Sequence, residues 1–399
     1  MRRNNTRKPS VDNSDDFDAR MMNRAVKLAR RGAGLVEPNP MVGCVIARAG
    51  RVLGEGCHAR FGGPHAEVAA LRACVASPRG ATVYVTLEPC SHHGKTPPCV
   101  DALIDAGIER VVAAVKDPNP AVYGAGFGRL RQAGIEVRVG LLKNEACATL
   151  APYLTRTCLK RPYIIAKWAQ SLDGKLTAPP GSPRWISCET SRRHVHRLRA
   201  RVDAVIVGSG TVAADDPMLT ARGVRIRRTA ARIVLDGRLR ISERCQLVAT
   251  AHDTRTLVVT TPARASTPKA KRLIRKGVEV MPCPLKNKRL SLSECMAALA
   301  KRGMTNVLVE GGPTLLTALF DAGLVDEALV FGAPMFIGGR DAPSLFQNRG
   351  TRRPPTPPSP IAVETRRSGV DTLYRLRFTD PHDLAGCRTY WRAFFGDPC

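Results

Sequence analysis

The stretch GGPHAEVAALRACVASPRGATVYVTLEPCSHHGKTPPCVDAL, residues 62–103, contains the residues that decide the fold of the first half of the chain. His65 and Glu67 stand two apart at the head of an Ala-rich segment that is predicted to be helical. The predicted strand ATVYVTLEP follows, and Cys90 then opens a loop that closes at Cys99 before another helical segment. Helices that alternate with strands in this way are typical of an α/β domain.

The same alternation extends on both sides of this stretch, from Phe17 to about Val139. Upstream, DARMMNRAVKLARRGA has apolar residues at helical spacing, and MVGCVIARAGRVLGEG predicts two strands joined by a turn at Ala49 and Gly50. Downstream, strands are predicted in RVVAAVKDP and EVRVG, with helices between them. The sequence therefore predicts a three-layer α/β domain over residues 17–150, preceded by a disordered basic tail at 1–16.

A second α/β series begins after Arg161 and Pro162, so we predict a second domain over residues 160–379. Its strands are predicted in YIIAKWAQS, AVIVG, ARIVLDG, TLVVTT, VEVMPC, NVLVEGG and EALVFGAPMFIGG, with helices between them. Residues 352–360 are too rich in proline for a central strand, and IAVETRRSGVDTLYRLRF predicts a final hairpin. Residues 380–399 form an appendage to which the sequence gives no role.

Composition excludes several classes of protein. The hydrophobic fraction of 44% is typical of a folded globular chain, and no apolar run reaches the roughly eighteen residues that a membrane helix needs. The N-terminus has no apolar core of a secretory signal. Thirteen scattered cysteines indicate reduced thiols rather than a disulfide framework. We therefore expect a cytoplasmic protein without a membrane partner.

The net charge of +28 is the strongest compositional signal, and basic surfaces bind phosphates. The basic clusters are spread along the chain, however, and aromatic residues make up only 5% of it. No cluster interleaves aromatic with basic residues, as a platform for single-stranded nucleic acid does. Solvated arginine-rich faces that favour phosphorylated small substrates are the simpler interpretation, and we expect no nucleic-acid partner.

The opening stretch has the pattern of a zinc deaminase. Such a site takes one His and two thiolates and leaves the fourth tetrahedral position to water, with an unligated carboxylate that transfers protons. The signature H-x-E followed by P-C-x-x-C is met by His65, Glu67 and Cys90, but Cys99 comes nine residues after Cys90 instead of three. A turn-rich loop can return Cys99 to a helix start, where the helix dipole favours a thiolate. The alternative is that the cysteines are bystanders and His65 caps a helix.

These residues, together with GLVEPNPMVGCVIARAGRVLGEGCHARF, resemble the deaminase half of the bifunctional riboflavin-biosynthesis deaminase/reductase family. In that family the long loop between the two cysteines is the rule. The resemblance implies a cytidine-deaminase-like fold, zinc bound by His65, Cys90 and Cys99, and Glu67 as the proton shuttle. It also implies that Asn39, in the PNPMVG turn, belongs to the substrate wall. Within the loop His92 and His93 are rival metal ligands, although positions behind the ligands or facing solvent are the simpler interpretation.

Two strand-to-helix junctions in the second half suit phosphate groups. Gly208 and Gly210 follow a predicted strand, and Gly311 and Gly312 precede a predicted helix. Backbone amides at such a helix start bind anions. The sequence GSGTVA also fits G-x-G-x-x-A, so a Rossmann nucleotide site is a rival interpretation, although no acidic strand end lies at the expected distance.

The segments AKWAQSLDGK, RWIS, VGSGTVAADDPMLTAR and LVEGGPTLL resemble the reductase half of the same family, which implies a dihydrofolate-reductase-like α/β fold. The implied NADPH contacts are Ala169, Trp185, Thr211, Asp215, Gly237, Gly312, Pro313, Thr314 and Leu315. The implied contacts to the ribose-phosphate substrate are Arg199, Leu219, Arg222, Glu310 and position 183. Pro183 departs from the family there, because a serine is usual. Lys167 approaches the cofactor or faces solvent.

The sequence thus predicts a bifunctional enzyme with Zn²⁺ and NADPH as cofactors. The first domain would deaminate the phosphoribosylamino diaminopyrimidinone of riboflavin synthesis, and the second would reduce its ribosyl group to ribityl. The partner is then a phosphorylated pyrimidine, and the family implies a homo-oligomer formed through the reductase domain. Two alternatives remain open: a nucleic-acid or nucleoside deaminase, and a descendant in which one domain has become a scaffold.

Overall fold

The computed structural model divides the chain into two compact units, Met1–Leu159 with Pro381–Cys399, and Lys160–Asp380. It describes residues 11–92, 97–177, 185–339, 341–346 and 358–385, apart from the side chains of residues 11–14. Within these ranges no helix is long and apolar enough to cross a bilayer.

The first unit is a five-stranded sheet covered by helices. Its strands are β1 Gly43–Arg48, β2 Arg51–Cys57, β3 Thr82–Val85, β4 Arg110–Ala113 and β5 Glu136–Val139. Its helices are α1 Val11–Ala29, α2 Ala66–Arg72, α3 Cys99–Asp105, α4 Ala125–Gln132 and α5 Lys143–Leu159, with a 3₁₀ turn at Arg30–Gly32. The strand order is β2-β1-β3-β4-β5, and β3, β4 and β5 are parallel. The predicted turn between β1 and β2 is confirmed, since Ala49 and Gly50 both have positive φ.

Two glycines allow helices to lie directly on the antiparallel edge of this sheet. A Cβ at Gly43 would lie 2.0 Å from the Ala25 carbonyl oxygen on α1, and one at Gly56 would lie 2.4 Å from the Ala66 carbonyl oxygen on α2. Real Cβ atoms do not approach that closely, so both positions require glycine. The close approach of α2 fixes the position of His65, the residue immediately before it.

The second unit is built on a nine-stranded sheet. The nine strands of this sheet are β6 Tyr163–Gln170, β7 Ala204–Gly208, β8 Ala231–Leu235, β9 Thr256–Thr260, β10 Val278–Pro282, β13 Asn306–Val309, β14 Glu327–Gly332, β15 Ala362–Ser368 and β16 Asp371–Arg377. Strands β11 Leu285–Lys286 and β12 Arg289–Leu290 form a separate two-stranded ribbon. Its helices are α6 Glu189–Arg199, α7 Ser209–Asp215, α8 Gln246–Ala249, α9 Pro262–Ala265, α10 Pro268–Arg275, α11 Leu292–Lys301 and α12 Pro313–Asp321.

The large sheet has the order β10-β9-β8-β7-β13-β6-β14-β16-β15. The first seven strands in this order are parallel, and the antiparallel hairpin of β15 and β16 completes one edge, as the sequence predicts. The central strands β8, β9 and β13 are buried along their whole length. Parallel strands covered on both faces read as continuous apolar runs, which is why they were visible in the sequence.

The ends of the first unit differ from the predicted boundaries. Helix α1 begins at Val11 and not at Phe17, because Asp15 and Asp16 stand in its first turns, where acidic residues are favoured, and pair with Arg138 and Arg20. Helix α5 continues to Leu159. The C-terminal segment forms a short helix, α13 Pro381–Leu384, which packs on α5 and receives the Cys158 thiol on the Leu384 carbonyl.

Candidate active sites

Three ends of elements meet in the first unit and bring together the predicted metal ligands. His65 is the N-cap of α2, Cys90 follows β3, and Cys99 is the first residue of α3. Their ligand atoms all lie within 4.8 Å of one another, and among the described residues they are the one such cluster of three or more His, Cys, Asp or Glu side chains. Two cysteines nine residues apart in the sequence therefore meet at the start of α3.

The distances within this cluster suit a metal ion. His65 Nδ1 lies 3.3 Å from Cys99 Sγ and 3.5 Å from Cys90 Sγ. Zinc bonds of about 2.0–2.3 Å in tetrahedral geometry place neighbouring ligand atoms at roughly 3.5 Å from one another. One imidazole and two sulfurs are ligands that zinc prefers, so the residues present fit this metal.

The backbone at the start of α3 acts on Cys90 rather than on Cys99. Hydrogen bonds from the Cys99 thiol, then from the His65 ring and the Cys99 amide N–H, lower the pKa of Cys90 to about 4. The same thiol–thiol bond, with burial, raises the pKa of Cys99. The helix-start N–H of Cys99 thus points to the neighbouring sulfur, and the thiolate expected at Cys99 itself stays a prediction.

Glu67 lies in the first turn of α2 and is 4% exposed. It lies two residues after His65, and the charges of Cys90 and His65 both act on its carboxyl group, which places it beside the cluster. Burial, followed by the negative charge on Cys90, raises the pKa of Glu67 to about 7. A carboxyl group with this pKa both accepts and releases protons near neutral pH.

One residue at this site was not singled out from the sequence. His58 is 3% exposed, its Nε2 lies 3.2 Å from Asn39 Nδ2, and its ring stands edge-to-face with His65 at 5.4 Å. The structure thus brings Asn39 to the metal cluster through His58. The signal was the first histidine of CHARFGGPH, which has no periodicity to distinguish it. His92 is exposed, and His93 lies outside the described residues.

In the second unit the predicted contacts lie at the carboxyl ends of adjacent parallel strands. Ala169 ends β6, Gly208 ends β7, Gly237 follows β8 and Glu310 follows β13. These four strands are neighbours in the order β8-β7-β13-β6. The crevice at the carboxyl ends of parallel strands is where open α/β sheets bind their ligands.

Two helix starts meet at this edge and suit a dinucleotide cofactor. A Cβ built at Gly312 would stand 3.8 Å from Thr211 Oγ1, and one at Gly208 would stand 4.0 Å from Leu315 Cβ. The turn before α12 and the start of α7 therefore adjoin, and Gly312, Pro313, Thr314 and Leu315 follow one another there. At a glycine no Cβ atom obstructs the approach of a pyrophosphate to the backbone N–H groups of the helix start, so these residues fit the cofactor.

A nearly buried ion pair stands beside that edge. Arg199 Nε and Nη2 donate to the two Glu310 oxygens at 2.6 and 2.9 Å, and Arg199 Nη1 donates to the Thr220 carbonyl at 3.1 Å. Lys167 Nζ lies 4.0 Å from Glu310, so it faces this pair and not solvent. Burial would raise the pKa of Glu310, but the charges of Arg199 and Lys167 hold it below its usual value. Burial lowers the pKa of Lys167.

The remaining predicted contacts are less concentrated. Leu219 is buried at positive φ, and the Arg222 N–H donates to His196 Nδ1 at 3.3 Å. Trp185 is 54% exposed, and the Arg192 guanidinium lies over its ring. Asp215 is exposed at the end of α7. The Leu290 side chain lies close to Gly237, 3.3 Å from where a Cβ would stand. Pro183 lies outside the described residues.

Comparisons with known proteins match both units of the chain. A family model described as the RibD C-terminal domain matches residues 162–374, and one described as the cytidine and deoxycytidylate deaminase zinc-binding region matches residues 15–115. The chain is 42% identical to the riboflavin biosynthesis protein RibD of Escherichia coli (strain K12), over 90% of this chain and 99% of that protein. It is 40% identical to RibD of Actinobacillus pleuropneumoniae, over 84% and 89%.

Solved structures are similar over the same extent. Acinetobacter baumannii RibD, form 1, has a TM-score of 0.80 and 33% identity, covering 92% of this chain and 99% of that chain. A Thermotoga maritima diaminohydroxyphosphoribosylaminopyrimidine deaminase/5-amino-6-(5-phosphoribosylamino)uracil reductase has a TM-score of 0.80 and 34% identity, covering 92% and 100%.

The fold and the sites define a two-domain enzyme in which a cytidine-deaminase-like unit precedes a reductase unit. The chain belongs to the RibD family of riboflavin biosynthesis proteins. It is a bifunctional enzyme with hydrolase and oxidoreductase activities, and its cofactors are Zn²⁺ and NADPH. The predicted fold class, function and cofactors are confirmed, which decides against the two alternative functions.

Proposed function

We propose that His65, Cys90 and Cys99 bind the zinc ion and that Glu67 is the proton shuttle of the deaminase. The observation that carries this proposal is the convergence of three ligand atoms within 4.8 Å, with the buried Glu67 carboxyl group in the helix turn that follows His65. When bound there, zinc supplies a Lewis acid that makes a water molecule acidic enough to lose a proton near neutral pH.

Glu67 then carries out two proton transfers. Its carboxylate takes the proton of the attacking water and, as the C–N bond breaks, delivers a proton to the departing amino group, which leaves as ammonia. A pKa of about 7 suits both directions of transfer. The substrate is the diaminopyrimidinone that carries a phosphoribosylamino group, and the deaminated product passes to the second reaction. Asn39 and His58 line the same site and orient the ring.

For the reductase we propose that Ala169, Trp185, Thr211, Asp215, Gly237 and the turn Gly312, Pro313, Thr314 and Leu315 contact NADPH. Support comes from the carboxyl edge of the parallel sheet, where the adjoining starts of α7 and α12 offer backbone N–H groups. NADPH supplies the hydride. The chain's own contribution is to hold the sugar carbon beside the cofactor and to manage charge and proton around it.

The substrate of this second site is a ribose phosphate, and we propose Arg199, Leu219, Arg222 and Glu310 as contacts to this substrate, together with position 183, which the family resemblance implies. Reduction adds a hydride to C1 of the ribosylamino group, and the ring oxygen that is released takes a proton. Lys167 is the acid that we propose for that proton, because it is buried beside Glu310 and its pKa is lowered. A lowered pKa brings an ammonium group closer to neutral operating pH.

We also propose that the enzyme is a cytoplasmic homo-oligomer that pairs through the reductase unit. The edge of the nine-stranded sheet supports this, because β15 is its last strand. The exposed apolar side chains Ile361, Val363, Val370 and Tyr374 lie along this hairpin. An exposed edge strand with apolar residues is a template for pairing with a second copy. The molar masses of the wild type and of Val363→Lys, measured by light scattering, test this. We expect an oligomer for the wild type and a monomer for the variant.

A two-step turnover assay with the diaminopyrimidinone phosphoriboside tests the proposed activity. Ammonia release and the loss of NADPH absorbance are followed together in the wild type and in Glu67→Gln. The wild type is expected to release ammonia and then to oxidise NADPH, whereas Glu67→Gln is expected to oxidise NADPH only when given deaminated substrate. Absence of ammonia from zinc-loaded wild type would refute the assigned substrate. Full deaminase activity in Glu67→Gln would refute the role of Glu67.

A further inference from the structure

One buried carboxylate near the metal cluster is not used in the proposed chemistry. Glu88 lies three residues after β3 and two before Cys90, and it is 4% exposed. Its Oε2 accepts the N–H groups of Asp117 and Gly124 at 3.2 and 3.0 Å. Its Oε1 accepts those of Gly126 and Phe127 at 3.1 and 3.3 Å.

These four bonds gather one loop and the start of one helix around a single side chain. Asp117 begins the loop after β4, and Gly124, Gly126 and Phe127 form the N-cap and first turn of α4. Glu88 thus supplies, from a different element, the acceptors that the first N–H groups of a helix lack. An acidic side chain is also the one that the positive end of the helix favours.

The residue between Glu88 and Cys90 is held by the same helix turn. A Cβ at Gly126 would stand 2.2 Å from the Pro89 carbonyl oxygen, so the first turn of α4 rests directly on the Pro89 backbone. Glycine at this position permits a contact that alanine would push apart. The chain immediately before Cys90 is therefore fixed by a side-chain clamp at Glu88 and by a backbone contact at Pro89.

Cys90 is held from its other side by α3. Its carbonyl accepts the Val100 N–H at 3.2 Å, and its sulfur accepts the Cys99 N–H at 3.4 Å. Those bonds orient Cys90 relative to Cys99, but they do not tie the pair to β3 and α4. Glu88 makes one such connection, since its own N–H donates to the Val115 carbonyl just after β4, and Arg129 on α4, which donates to the Ser91 carbonyl, makes another.

We propose that Glu88 is a positioning residue of the deaminase site, which holds Cys90 at ligand distance from His65 by clamping the loop at Asp117 and the start of α4 behind it. The inference rests on the proposed function in one respect, that Cys90 is a zinc ligand. Residues that orient metal ligands are typically worth roughly 10–100-fold in metal affinity or activity.

The test compares zinc release from the full-length, zinc-loaded enzyme and from two variants. In Glu88→Gln one oxygen becomes an NH₂ group that faces two backbone N–H donors, so two of the four bonds are lost. In Gly126→Ala the added methyl group forces α4 away from Pro89 while Glu88 is kept. We expect both variants to release zinc to a colorimetric chelator about 10–100-fold faster than wild type, and we expect the thiolate-to-metal absorption band of the cobalt-substituted enzyme to change.

Asp18→Asn is the matched control. Asp18 is another buried carboxylate of the first unit, 3% exposed, which accepts the Tyr84 hydroxyl and the Arg110 guanidinium. Its removal is expected to lower thermal stability but to leave zinc release and the cobalt spectrum as in wild type. The NADPH-dependent activity on deaminated substrate is expected to be unchanged in all three variants.

The outcomes separate this inference from the function on which it rests. Wild-type release rates and cobalt spectra in Glu88→Gln and Gly126→Ala overturn the positioning role, as does equal acceleration in Asp18→Asn. If Glu88→Gln does not fold, as judged by circular dichroism, the result for Gly126→Ala decides. If wild type binds no zinc, or if Cys90→Ser retains it fully, the ligand assignment itself fails, and that failure is visible without either variant.

Discussion

Removal of one partner of the Arg199–Glu310 pair is expected to destabilise the second unit strongly. The two side chains are only 14% and 10% exposed and are joined by two hydrogen bonds, so Glu310→Gln leaves the charges of Arg199 and Lys167 uncompensated in a desolvated site. Loss of one member of a buried ion pair costs about 3–5 kcal/mol in the free energy of unfolding. Arg199→Met leaves Glu310 with Lys167 alone, and we expect a similar cost.

The double variant Arg199→Met/Glu310→Met distinguishes a coupled pair from two independent contacts. Replacement of both charges by apolar groups of similar volume is often nearly neutral. We therefore expect the double variant to be more stable than either single variant, yet unable to reduce the deaminated substrate. Urea unfolding monitored by the fluorescence of Trp168, which stands on β6 beside Lys167, measures the four free energies. Additive single effects, or single losses below about 1 kcal/mol, would refute the reasoning.

Three further predictions concern the first unit. Burial raises the pKa of Asp117 from 3.8 to about 6. The stability that this group contributes is therefore complete below pH 4 and is lost as the pH rises through 6. Relative to Asp117→Asn, the wild type is expected to lose about 3 kcal/mol in the free energy of unfolding between pH 4 and pH 7, measured by urea titration at each pH. Parallel curves for the two proteins would contradict this. Truncation after Asp380 removes Leu384, which is 2% exposed in the first core, and is expected to cost about 2–3 kcal/mol in that unit. Heat inactivation of the deaminase should then shift to lower temperature while that of the reductase does not, and equal shifts would count against the packing described for α13. Gly43→Ala places a Cβ 2.0 Å from the Ala25 carbonyl oxygen, which forces α1 away from β1. We expect this to lower the free energy of unfolding by at least about 2 kcal/mol, measured by chemical denaturation. Gly50→Ala has open space at its Cβ position and therefore tests the effect of positive φ alone.

Local sequence patterns predicted most of the elements because each depends on neighbouring residues. The strands AVIVG and TLVVT are apolar throughout because helices cover both faces of a parallel sheet, and H-x-E with the later cysteines gives a metal site because the spacing returns them to helix starts. The hairpin of β15 and β16 follows from its turn at Gly369, which has positive φ.

Contacts between distant segments could not be predicted in the same way. Strand β13 inserts between β6 and β7, and this alone brings Glu310 to Arg199, which is 111 positions away. Glu88 finds its partners 29 to 39 positions away, and no local pattern marks a buried glutamate as a clamp. The contact from the Cys99 N–H to the Cys90 sulfur is likewise marked by no local pattern, because it depends on how Cys90 and the start of α3 meet.

The return of α13 to α5 has a consequence for the order in which the chain is made. Residues 381–385 complete the first core, yet a ribosome synthesises them only after all of the second unit. The deaminase unit of the nascent chain therefore lacks part of its core when Leu159 has been made. More than two hundred further residues are synthesised before the missing part follows. The reductase unit has no such delay, since Lys160–Asp380 is one continuous segment. Translation thus makes the second unit in sequence the first that can finish folding.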